Sequence, residues 1–392
     1  MKVCIMCGGE GTRLRPLTFE RPKPCIPIMN TPSILHLVSH LSNLGFHEVI
    51  ITLGYLAGAI EEVLGDGSFL GTDIRYVREQ EKLGTAGSVK NAQKYLEDRN
   101  FLVVGGDHVT DINLLEFYRE HQASEAITTI GLIGIDDPSE YGIAEIDVTN
   151  RIKRFREKPS PGEIFSNLAS TGMYVCTPDI FDYIPPRRKF DFARDLFPRL
   201  MGDDKTLNGW LARGNWTDVG SPQSLRQAEH WKLHELGITM ISGDLHMAGA
   251  KITGPVQMKG SLSLGKNTRV VGPVSIGAAV GIGENVLIGP YTTIGEECTI
   301  QDGAKIFSSS LYNRVRVGQM STVSGSIIDN DTIIGGECSI ENDTVLGPRI
   351  TMGDRVVIHS GTRIWPELEI PTGSIIKEHL LNEKYDLRRE GS

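Results

Sequence analysis

The sequence predicts an α/β domain with a mostly parallel sheet, followed by a parallel β-helix. In the first half, to about residue 230, short apolar runs alternate with amphipathic helical segments, which is typical of a parallel sheet with helices on both faces. In the second half, from about residue 248, hydrophobic side chains recur at every sixth position, a period that fits neither an α-helix nor a simple strand. The two periods indicate two domains, which the length of 392 residues also favours.

Apolar runs and one amphipathic stretch define the elements of the first domain. Five runs are predicted strands: residues 3–6, 49–53, 74–77, 101–104 and 126–132. Between the first two runs, apolar residues with helical spacing predict a helix: Ile34, Leu37, Val38, Leu41 and Leu44. Ligands of such sheets bind beyond the carboxyl ends of the strands, so residues that directly follow a predicted strand are candidates for the functional site.

The six-residue period of the second half is that of a β-helix built from hexapeptide turns. Twenty-one positions from Ile252 to Ile370 are aliphatic or methionine, and the series shortens by one residue twice, before Leu311 and before Ile328. Three hexapeptides form one coil, so about seven coils are expected. The predicted organisation is a first domain over residues 1–232, a linker over 233–247, the β-helix over 248–375 and a charged, mobile C-terminal tail over 376–392.

Composition and charge exclude several classes of protein. The net charge of −9 argues against a dedicated nucleic-acid-binding protein, which is normally basic. No apolar run is long enough to span a membrane, and the first predicted strand begins too close to Met1 for a signal peptide, so a cytoplasmic protein is expected. Among the six cysteines, Cys4 and Cys7 form a C-x-x-C pair without the second pair of a zinc site, and we expect structural thiols without disulfides.

The most informative string is CGGEGTRLRPLTFERPKP, from Cys7 to Pro24, which directly follows the first predicted strand. A glycine-rich turn at a strand end lets backbone N–H groups approach a phosphate closely. Arg13 can meet phosphate charge with a planar fork, and Lys23 can do so with a point charge. The string lacks the third glycine of the dinucleotide-binding fingerprint and the GK[ST] triplet of a P-loop.

This string resembles the signature of the sugar-phosphate nucleotidyltransferases, G-x-G-T-R-L-x-P-L-T…K-P, over eighteen positions. The hexapeptide segment is similar to the left-handed β-helix that follows many domains of this family, so the resemblance covers nearly the whole chain. It implies a Rossmann-like sheet followed by a left-handed parallel β-helix. It also implies nucleotidyl transfer, in which an oxygen of a sugar 1-phosphate attacks the α-phosphate of a nucleoside triphosphate and pyrophosphate leaves.

The resemblance assigns roles on the nucleotide side. Residues of the glycine-rich turn match the family's phosphate-binding positions: Gly8, Gly9, Gly11 and Thr12. Arg13 is expected to clamp the triphosphate, and Lys23 to steady the α-phosphate as charge shifts in the transition state. Asp107, in GGDH, and Asp218, in NWTDVG, match the family's two metal aspartates and imply Mg²⁺ as the cofactor.

The sugar phosphate is expected to meet a second set of residues. Glu157 and Lys158 match the family's E-K-P, in which the carboxylate accepts hydrogen bonds from sugar hydroxyls and the ammonium holds the phosphate. The backbone of Gly142 is expected to lie against the sugar. Ser170 stands where the family often has asparagine, a departure that leaves the identity of the sugar open.

The segment EQEKLGTAG, which contains Glu79, Gly84 and Thr85, resembles the family's base-binding loop. Members that take uracil or thymine tend to carry glutamine where this chain has Glu79. A carboxylate only accepts hydrogen bonds, and guanine presents its N1–H and its N2 amine side by side, so Glu79 favours GTP. A one-residue shift of the loop would place the amide of Gln80 there instead.

The leading hypothesis is guanylyl transfer from GTP to mannose 1-phosphate, giving GDP-mannose. The alternative within the family is uridylyl or thymidylyl transfer to glucose 1-phosphate. Two further alternatives are acetyl transfer by the β-helix, with His359 or His246 as the base, and a non-catalytic regulatory subunit, against which the complete set of candidate residues argues. The flat faces of stacked coils favour a homo-oligomer that forms through the β-helix, with no nucleic-acid or membrane partner.

Overall fold

The computed structural model describes residues 1–386 and divides the chain into two compact units. The sheet unit comprises Met1–Glu10, Pro22–Cys25 and Ser33–Asp218. The β-helix unit comprises Gly11–Arg21, Ile26–Pro32 and the chain from Val219 onward. Two short N-terminal segments thus belong to the unit that contains the β-helix, which the sequence did not predict.

The sheet unit contains eleven strands, numbered β1–β11 in chain order. Their bounds are Lys2–Cys7, Glu48–Leu53, Asp73–Arg78, Phe101–Gly105, His108–Thr110, Thr128–Gly134, Gly142–Ile146, Ile152–Glu157, Leu168–Cys176, Leu207–Leu211 and Trp216–Asp218. Nine form one sheet in the order β8–β7–β9–β4–β1–β2–β3, with β6 pairing with both β9 and β10. The strands β4, β1, β2 and β3 run parallel, as predicted, whereas β9 runs antiparallel to β4. β5 and β11 form a separate antiparallel pair.

Helices cover both faces of this sheet. They are α1 Ser33–Asn43, α2 Ala57–Leu64, α3 Gly84–Asn91, α4 Leu114–Gln122 and α5 Phe197–Gly202. Apolar side chains of α1, α2 and α4 pack with Val3 and Ile5 of β1, while those of α3 and α5 pack in a second cluster with Cys4. Because β1 is buried on both faces, its residues 3–6 are all apolar. The five predicted strands and the predicted helix are confirmed.

Three parallel sheets of eight short strands form the β-helix, consistent with the expected left-handed form. The first sheet contains Met240–Ser242, Val256–Lys259, Val274–Ile276, Thr292–Ile294, Ser310–Leu311, Ile327–Ile328, Val345–Leu346 and Arg363–Ile364. The second contains Leu245–Met247, Leu262–Leu264, Val280–Ile282, Thr299–Ile300, Arg316–Val317, Ile333–Ile334, Thr351–Met352 and Glu369–Ile370. The third contains Lys251–Thr253, Arg269–Val271, Leu287–Ile288, Lys305–Phe307, Thr322–Ser324, Ser339–Ile340, Val357–Ile358 and Ile375–Ile376. A helix, α6 (Pro222–His234), precedes the coils, and a two-stranded hairpin pairs Pro27–Ile28 with Thr31–Pro32.

The pairing register explains both the six-residue period and its slips. Neighbouring coils normally pair at a separation of three whole hexapeptides, as Ile328 does with Leu346. Across the slips the separation is shorter by a single position, so that Ile294 pairs with Leu311 and Leu311 with Ile328. Each slip therefore removes one residue from a coil, and the apolar side chains remain stacked in one buried core.

The β-helix is longer at both ends than the sequence predicted. Its first strand begins at Met240, inside the predicted linker, so there are eight coils where about seven were expected. Beyond the last strand, the backbone of Leu380 bonds to that of Trp365, and α7 (Glu383–Asp386) carries a buried Tyr385. The predicted tail is therefore packed as far as Tyr385, and its last residues, 387–392, lie outside the described residues.

The cysteines are free thiols, and the described helices are short. All six cysteines are buried and free, and burial raises the pKa of the Cys176 thiol to about 12. Within residues 1–386, no group of three or more His, Cys, Asp and Glu side chains is placed to hold a metal ion. The longest described helix, α6, has 13 residues, and none in this part of the chain has the length and hydropathy that crossing a bilayer requires.

Candidate active site

The first part of the glycine-rich turn lies at the carboxyl ends of the central parallel strands. Gly8 and Gly9 directly follow β1. The turn passes close to the end of β2, because a Cβ at Gly54 would lie 3.0 Å from the Gly8 Cα. A Cβ at Gly8 would lie 3.8 Å from a carboxylate oxygen of Glu79, whereas one at Gly9 would meet open space among the described residues. The turn is therefore open at Gly9 and has an acidic side chain beside Gly8.

Glu79 follows β3 and is partly buried. Its carboxylate accepts a hydrogen bond from the Ser88 hydroxyl and lies 3.5 Å from the backbone nitrogen of Leu83. Burial raises the pKa of the Glu79 carboxyl, and these hydrogen bonds oppose that shift. Gln80, the alternative that the sequence left open, is exposed. Glu79 thus lies beside Gly8 of the glycine turn, and its part in recognising the base stays a prediction.

Gly84 and Thr85 open α3 and pack against a neighbouring backbone segment. Gly84 has a φ of +71°, and a Cβ there would lie 2.9 Å from the carbonyl oxygen of Phe190. The Thr85 hydroxyl donates to Asp191 over 3.2 Å. Close packing explains the glycine at position 84, and the nucleotide-binding role of both residues stays a prediction.

Lys23 and Asp107 form an ion pair at the carboxyl end of β4. Gly106, which precedes Asp107, packs against the end of β1, because a Cβ there would clash with the Cys7 sulfur. Burial disfavours the charged form of Asp107, but the charges of Lys23 and His108 hold the pKa of its carboxyl below the ordinary value. Burial lowers the pKa of His108, whose Nε2 lies 3.9 Å from an Asp107 oxygen.

The antiparallel pair β5 and β11 brings Asp218 to the same place. Asp218 lies opposite His108 in this pair, so it is one residue removed from Asp107 across the ladder. The two aspartates stand 111 positions apart in the chain, and no pattern in the sequence alone could have paired them. Two carboxylates suit Mg²⁺, which takes oxygen ligands and completes its shell with waters and substrate phosphates. The oxygen donors of Asp107 and Asp218 suit the implied cofactor, and binding of Mg²⁺ by these residues stays a prediction.

A cavity of about 430 Å³ in the sheet unit adjoins Asp218. Among the predicted site residues, its lining includes Thr85, Gly142, Glu157, Ser170 and Asp218. Its lining also includes residues that the sequence analysis did not single out: His108, Glu140, Tyr141, Thr171, Gly172, Tyr174, Lys189, Asp191, Ala193, Arg194 and Trp216. The rings of Tyr141 and Trp216 meet edge to face with their centroids 5.7 Å apart and form an aromatic wall.

Glu157 and Gly142 lie together in this cavity. A Cβ at Gly142 would lie 2.8 Å from a Glu157 carboxylate oxygen, so the glycine leaves room for that side chain. Burial raises the pKa of the Glu157 carboxyl, and the charges of Lys158 and Arg194 oppose the shift. The Lys158 ammonium lies 3.2 Å from Glu140, and its side chain is 43% exposed. Lys158 is not among the lining residues, whereas Lys189 and Arg194 are.

Ser170 lies in β9 and is buried. Its hydroxyl oxygen accepts a hydrogen bond from the backbone N–H of Gly172 over 3.3 Å. A hydrogen bond with Ser170 also opposes the effect of burial, which raises the pKa of Tyr174. The serine therefore leaves space that an asparagine would fill, and Tyr174 borders that space.

The middle of the glycine-rich string, Gly11–Arg21, belongs to the β-helix unit. Gly11 has a φ of +65°, and its carbonyl oxygen accepts hydrogen bonds from the Thr18 hydroxyl and the Leu14 N–H. Thr12 and Arg13 lie in a single 3₁₀ turn, Thr12–Leu14. The role of Arg13 as a triphosphate clamp stays a prediction.

The two histidines considered for acetyl transfer also lie in the β-helix unit. His359 has its Nδ1 3.2 Å from a Glu341 carboxylate oxygen, a partner that the sequence did not reveal. His246 is exposed. Acetyl transfer at either residue stays a prediction.

Two family models match the chain. One is described as nucleotidyl transferase and matches residues 2–234, and the other is described as the GMPPB C-terminal domain and matches residues 270–379. The chain is also 31% identical, over 97% of its length and 100% of the relative, to a probable mannose-1-phosphate guanylyltransferase 3 from Oryza sativa subsp. japonica. This chain belongs to the nucleotidyl transferase family.

Other similar proteins carry different names. The nucleotidyl transferase is 30% identical to a UTP--glucose-1-phosphate uridylyltransferase from Synechocystis sp., over 81% of this chain and 84% of the relative. A solved structure of a putative glucose-1-phosphate thymidylyltransferase from Bacillus anthracis matches with a TM-score of 0.54 and 26% identity. The match covers 59% of this chain and 94% of the chain in the Bacillus structure. Similarity therefore establishes the family and the reaction class. It does not decide which nucleotide base is bound, and for that question the geometry around Glu79 is the relevant observation.

The family motifs do not contain two cationic side chains of the cavity, Lys189 and Arg194. Both lie in the basic string RRKFDFAR, which separates two apolar segments and is visible in the sequence. A short π-helical segment, Phe192–Leu196, carries Arg194. In a nucleotidyl transferase, cations that line such a cavity are suited to the phosphate of the sugar substrate.

Proposed function

We propose that this nucleotidyl transferase is a mannose-1-phosphate guanylyltransferase, which transfers GMP from GTP to mannose 1-phosphate and releases pyrophosphate. The observation that carries the proposal is the Glu79 carboxylate, 3.8 Å from the Cβ position of Gly8 in the glycine-rich turn. A carboxylate accepts the two neighbouring donors of guanine, which uracil and thymine do not present side by side. The name of the full-length rice relative and the description of the C-terminal model support the same substrate pair.

On the nucleotide side, the chain supplies positive charge and backbone donors. Lys23 is proposed to meet the α-phosphate, because its ammonium already lies at the strand end where Asp107 is held. Arg13 is proposed to bind the triphosphate with its planar fork. Because Lys23 is held by its ion pair with Asp107 before the reaction, it can stabilise charge that develops as pyrophosphate leaves.

We assign Asp107 and Asp218 as the residues that would hold Mg²⁺. Asp218 ends β11, and Asp107 directly precedes His108, the first residue of β5, which pairs with Asp218. When bound, the ion neutralises phosphate charge between the two substrates. The lowered pKa of Asp107 keeps its carboxylate charged and able to bind a cation.

On the sugar side, the cavity next to Asp218 is proposed to take mannose 1-phosphate. Glu157 accepts hydrogen bonds from sugar hydroxyls, and Gly142 leaves its backbone open to the ring. We propose that Arg194 and Lys189 hold the phosphate, together with Lys158 or in its place. Ser170 leaves room beside the sugar where the family often has asparagine.

A substrate panel tests the proposal directly. Pyrophosphate release is measured with Mg²⁺ for GTP, UTP, dTTP, ATP and CTP, each with mannose 1-phosphate and with glucose 1-phosphate. We expect the largest kcat/KM for GTP with mannose 1-phosphate. A preference for UTP or dTTP with glucose 1-phosphate would support the second candidate, which the names of the Synechocystis and Bacillus relatives favour. No release with any pair would support a regulatory subunit.

Replacing Glu79 with glutamine is expected to shift the base preference from GTP toward UTP and dTTP. The amide keeps the size of the side chain and a partner for Ser88, but it presents a donor where guanine also donates. Mismatched hydrogen bonding of this kind costs roughly ten- to a hundredfold in the ratio of kcat/KM values. The ratio for GTP over UTP is measured at fixed mannose 1-phosphate.

Glu81→Gln is the matched control for this experiment, because Glu81 lies two residues away and is exposed. It is expected to leave the nucleotide ranking unchanged. If Glu79→Gln also leaves the ranking unchanged, Glu79 is not the base-reading residue, and its contacts to Ser88 and Leu83 serve only the fold. Self-association through the β-helix and a cytoplasmic location stay predictions.

A further inference from the structure

The segment Gly11–Arg21, which we call the signature loop, belongs to the β-helix unit although it contains three candidate nucleotide-binding residues. Its internal hydrogen bonds are few and local, such as Leu14 N–H to Gly11 C=O at 2.9 Å and Leu17 N–H to Leu14 C=O at 3.0 Å. A single 3₁₀ turn with so few bonds has little stability of its own. The loop therefore depends on contacts outside itself for a fixed shape.

Arg363, in the last strand of the first β-helix sheet, contacts the loop at its arginines. One terminal nitrogen of its guanidinium donates to the backbone carbonyl oxygen of Arg13 over 2.9 Å and to that of Arg15 over 3.2 Å. Burial lowers the pKa of Arg363, which is the expected effect on a guanidinium whose partners are neutral carbonyls. These two bonds fix the backbone on both sides of Leu14. They therefore fix the point of the backbone from which the Arg13 side chain extends.

A second contact holds the far end of the loop. Both carboxylate oxygens of Glu20 accept hydrogen bonds from the Arg349 guanidinium, at 2.9 and 2.5 Å. The Tyr385 hydroxyl lies 2.8 Å from Glu20 and 3.0 Å from Glu367, and Arg349 also bonds to Glu367. Hydrogen bonds from Arg349 hold the pKa of Glu20 below its ordinary value. Forked and shared pairs of this kind are more favourable than isolated surface ion pairs.

Aromatic packing lies between these two polar contacts. The buried ring of Phe19 lies 5.6 Å from that of Trp365 and 5.1 Å from that of Tyr385, measured between centroids. The Arg15 guanidinium lies 5.0 Å from the Phe19 centroid on the loop itself. The last coil and α7 thus supply the apolar surface on which the loop is folded.

We propose that Arg363 is a positioning residue for the reaction, and that it acts with the Glu20–Arg349–Tyr385 cluster to hold the signature loop in its phosphate-binding shape. The C-terminal coil then contributes to nucleotide affinity through the signature loop. A loop held in shape before binding does not lose further conformational entropy when the triphosphate arrives. When the loop is released from these contacts, it takes several shapes, of which only one binds the nucleotide. The apparent affinity then falls in proportion to the fraction of molecules in that shape.

Arg363→Ala tests this role with two readouts. We expect the KM for the nucleotide to rise about tenfold with a smaller change in kcat, because two hydrogen bonds to a charged donor are lost. We also expect hydrogen exchange at the amides of Leu14, Leu17 and Phe19 to become about tenfold faster, with exchange in the preceding coils unchanged. Arg363→Lys, whose ammonium can reach the same carbonyls, is expected to restore part of both effects.

Arg314→Ala is the matched control. Arg314 donates two hydrogen bonds to Asp331 of the neighbouring coil, and neither of these bonds involves the signature loop. Equal effects of Arg314→Ala and Arg363→Ala would overturn the proposal, as would a normal KM and normal exchange in Arg363→Ala. If Arg363→Ala loosens every coil, the full chain with Tyr385→Ala replaces it, because that substitution lies beyond the eight coils and removes a ring contact of Phe19. Faster exchange at Phe19 in that chain supports the proposal, and unchanged exchange overturns it.

The kinetic readout rests on the proposed function, whereas the exchange readout does not. A wild-type protein that turns over no nucleotide contradicts the proposed function, and exchange in the variants then still decides whether Arg363 holds the loop. A wild-type protein that is active with variants that behave normally contradicts only the positioning role. The two failures are therefore distinguishable.

Discussion

Replacing Asp218 with asparagine is expected to lower Mg²⁺-dependent nucleotidyl transfer by roughly a hundred- to a thousandfold and to leave the fold intact. The substitution keeps the shape of the side chain in β11 but removes the charge opposite His108, next to Asp107. A neutral amide binds Mg²⁺ far less well than a carboxylate, and the loss of one electrostatic stabiliser of a transition state typically costs this much. Steady-state pyrophosphate release over a Mg²⁺ titration measures the effect, and circular dichroism checks the fold.

Asp111→Asn is the control for the local structure of the β5–β11 pair. Asp111 accepts hydrogen bonds from the backbone and side-chain nitrogens of Asn215, at 2.6 and 2.8 Å, and has no role in the proposed metal site. We expect Asp111→Asn to keep most of the activity. Near-normal activity of Asp218→Asn would remove Asp218 from the metal site, and an equal loss in Asp111→Asn would show that the ladder, not the charge, matters.

The β-helix was predictable from the sequence because its structure repeats with the sequence. Each coil buries one apolar side chain per hexapeptide, so the buried positions recur in the sequence at a fixed spacing. A polar residue at such a position would interrupt this spacing. Even the two slips were readable, since Leu311 and Ile328 keep their places in the stack where the pairing register shortens by a single position. The first coil was missed because its strands, from Met240 to Met247, are largely exposed and lack the period.

The candidate site was less predictable because its residues come together through the tertiary structure. An antiparallel ladder between distant segments pairs Asp218 with His108, the neighbour of Asp107, and only a resemblance to known proteins could relate the two aspartates beforehand. Glu20 and Arg349 are 329 positions apart, and neither belongs to a local pattern that indicates the other. Lys189 and Arg194 had a visible signal, a basic string, but solvated charges give the same signal.

Replacing Asp329 with alanine is expected to destabilise the β-helix unit by about 3–5 kcal/mol, because it breaks a buried ion pair and leaves one charge behind. Asp329 is 1% exposed and accepts a hydrogen bond over 2.7 Å from Arg21, the last residue of the signature loop. The guanidinium of Arg21 also lies 5.3 Å from the ring centroid of Tyr312, so it cannot move into water without giving up that contact. Urea unfolding, followed by circular dichroism, measures the change.

The exposed pair Arg314–Asp331 provides the comparison, because Asp331 lies two residues from Asp329 and accepts two hydrogen bonds from its own arginine. Water screens this pair, so Asp331→Ala is expected to cost about 1 kcal/mol or less. Equal costs for the two substitutions would mean that burial of the Arg21–Asp329 pair does not matter. The double variant Arg21→Met with Asp329→Leu is expected to regain most of the loss, since apolar side chains need no partner there. If the double variant is as unstable as Asp329→Ala, the β-helix unit needs the specific geometry of the ion pair. The hydrogen bond between Arg21 and Asp329 then fixes the end of the signature loop to the β-helix.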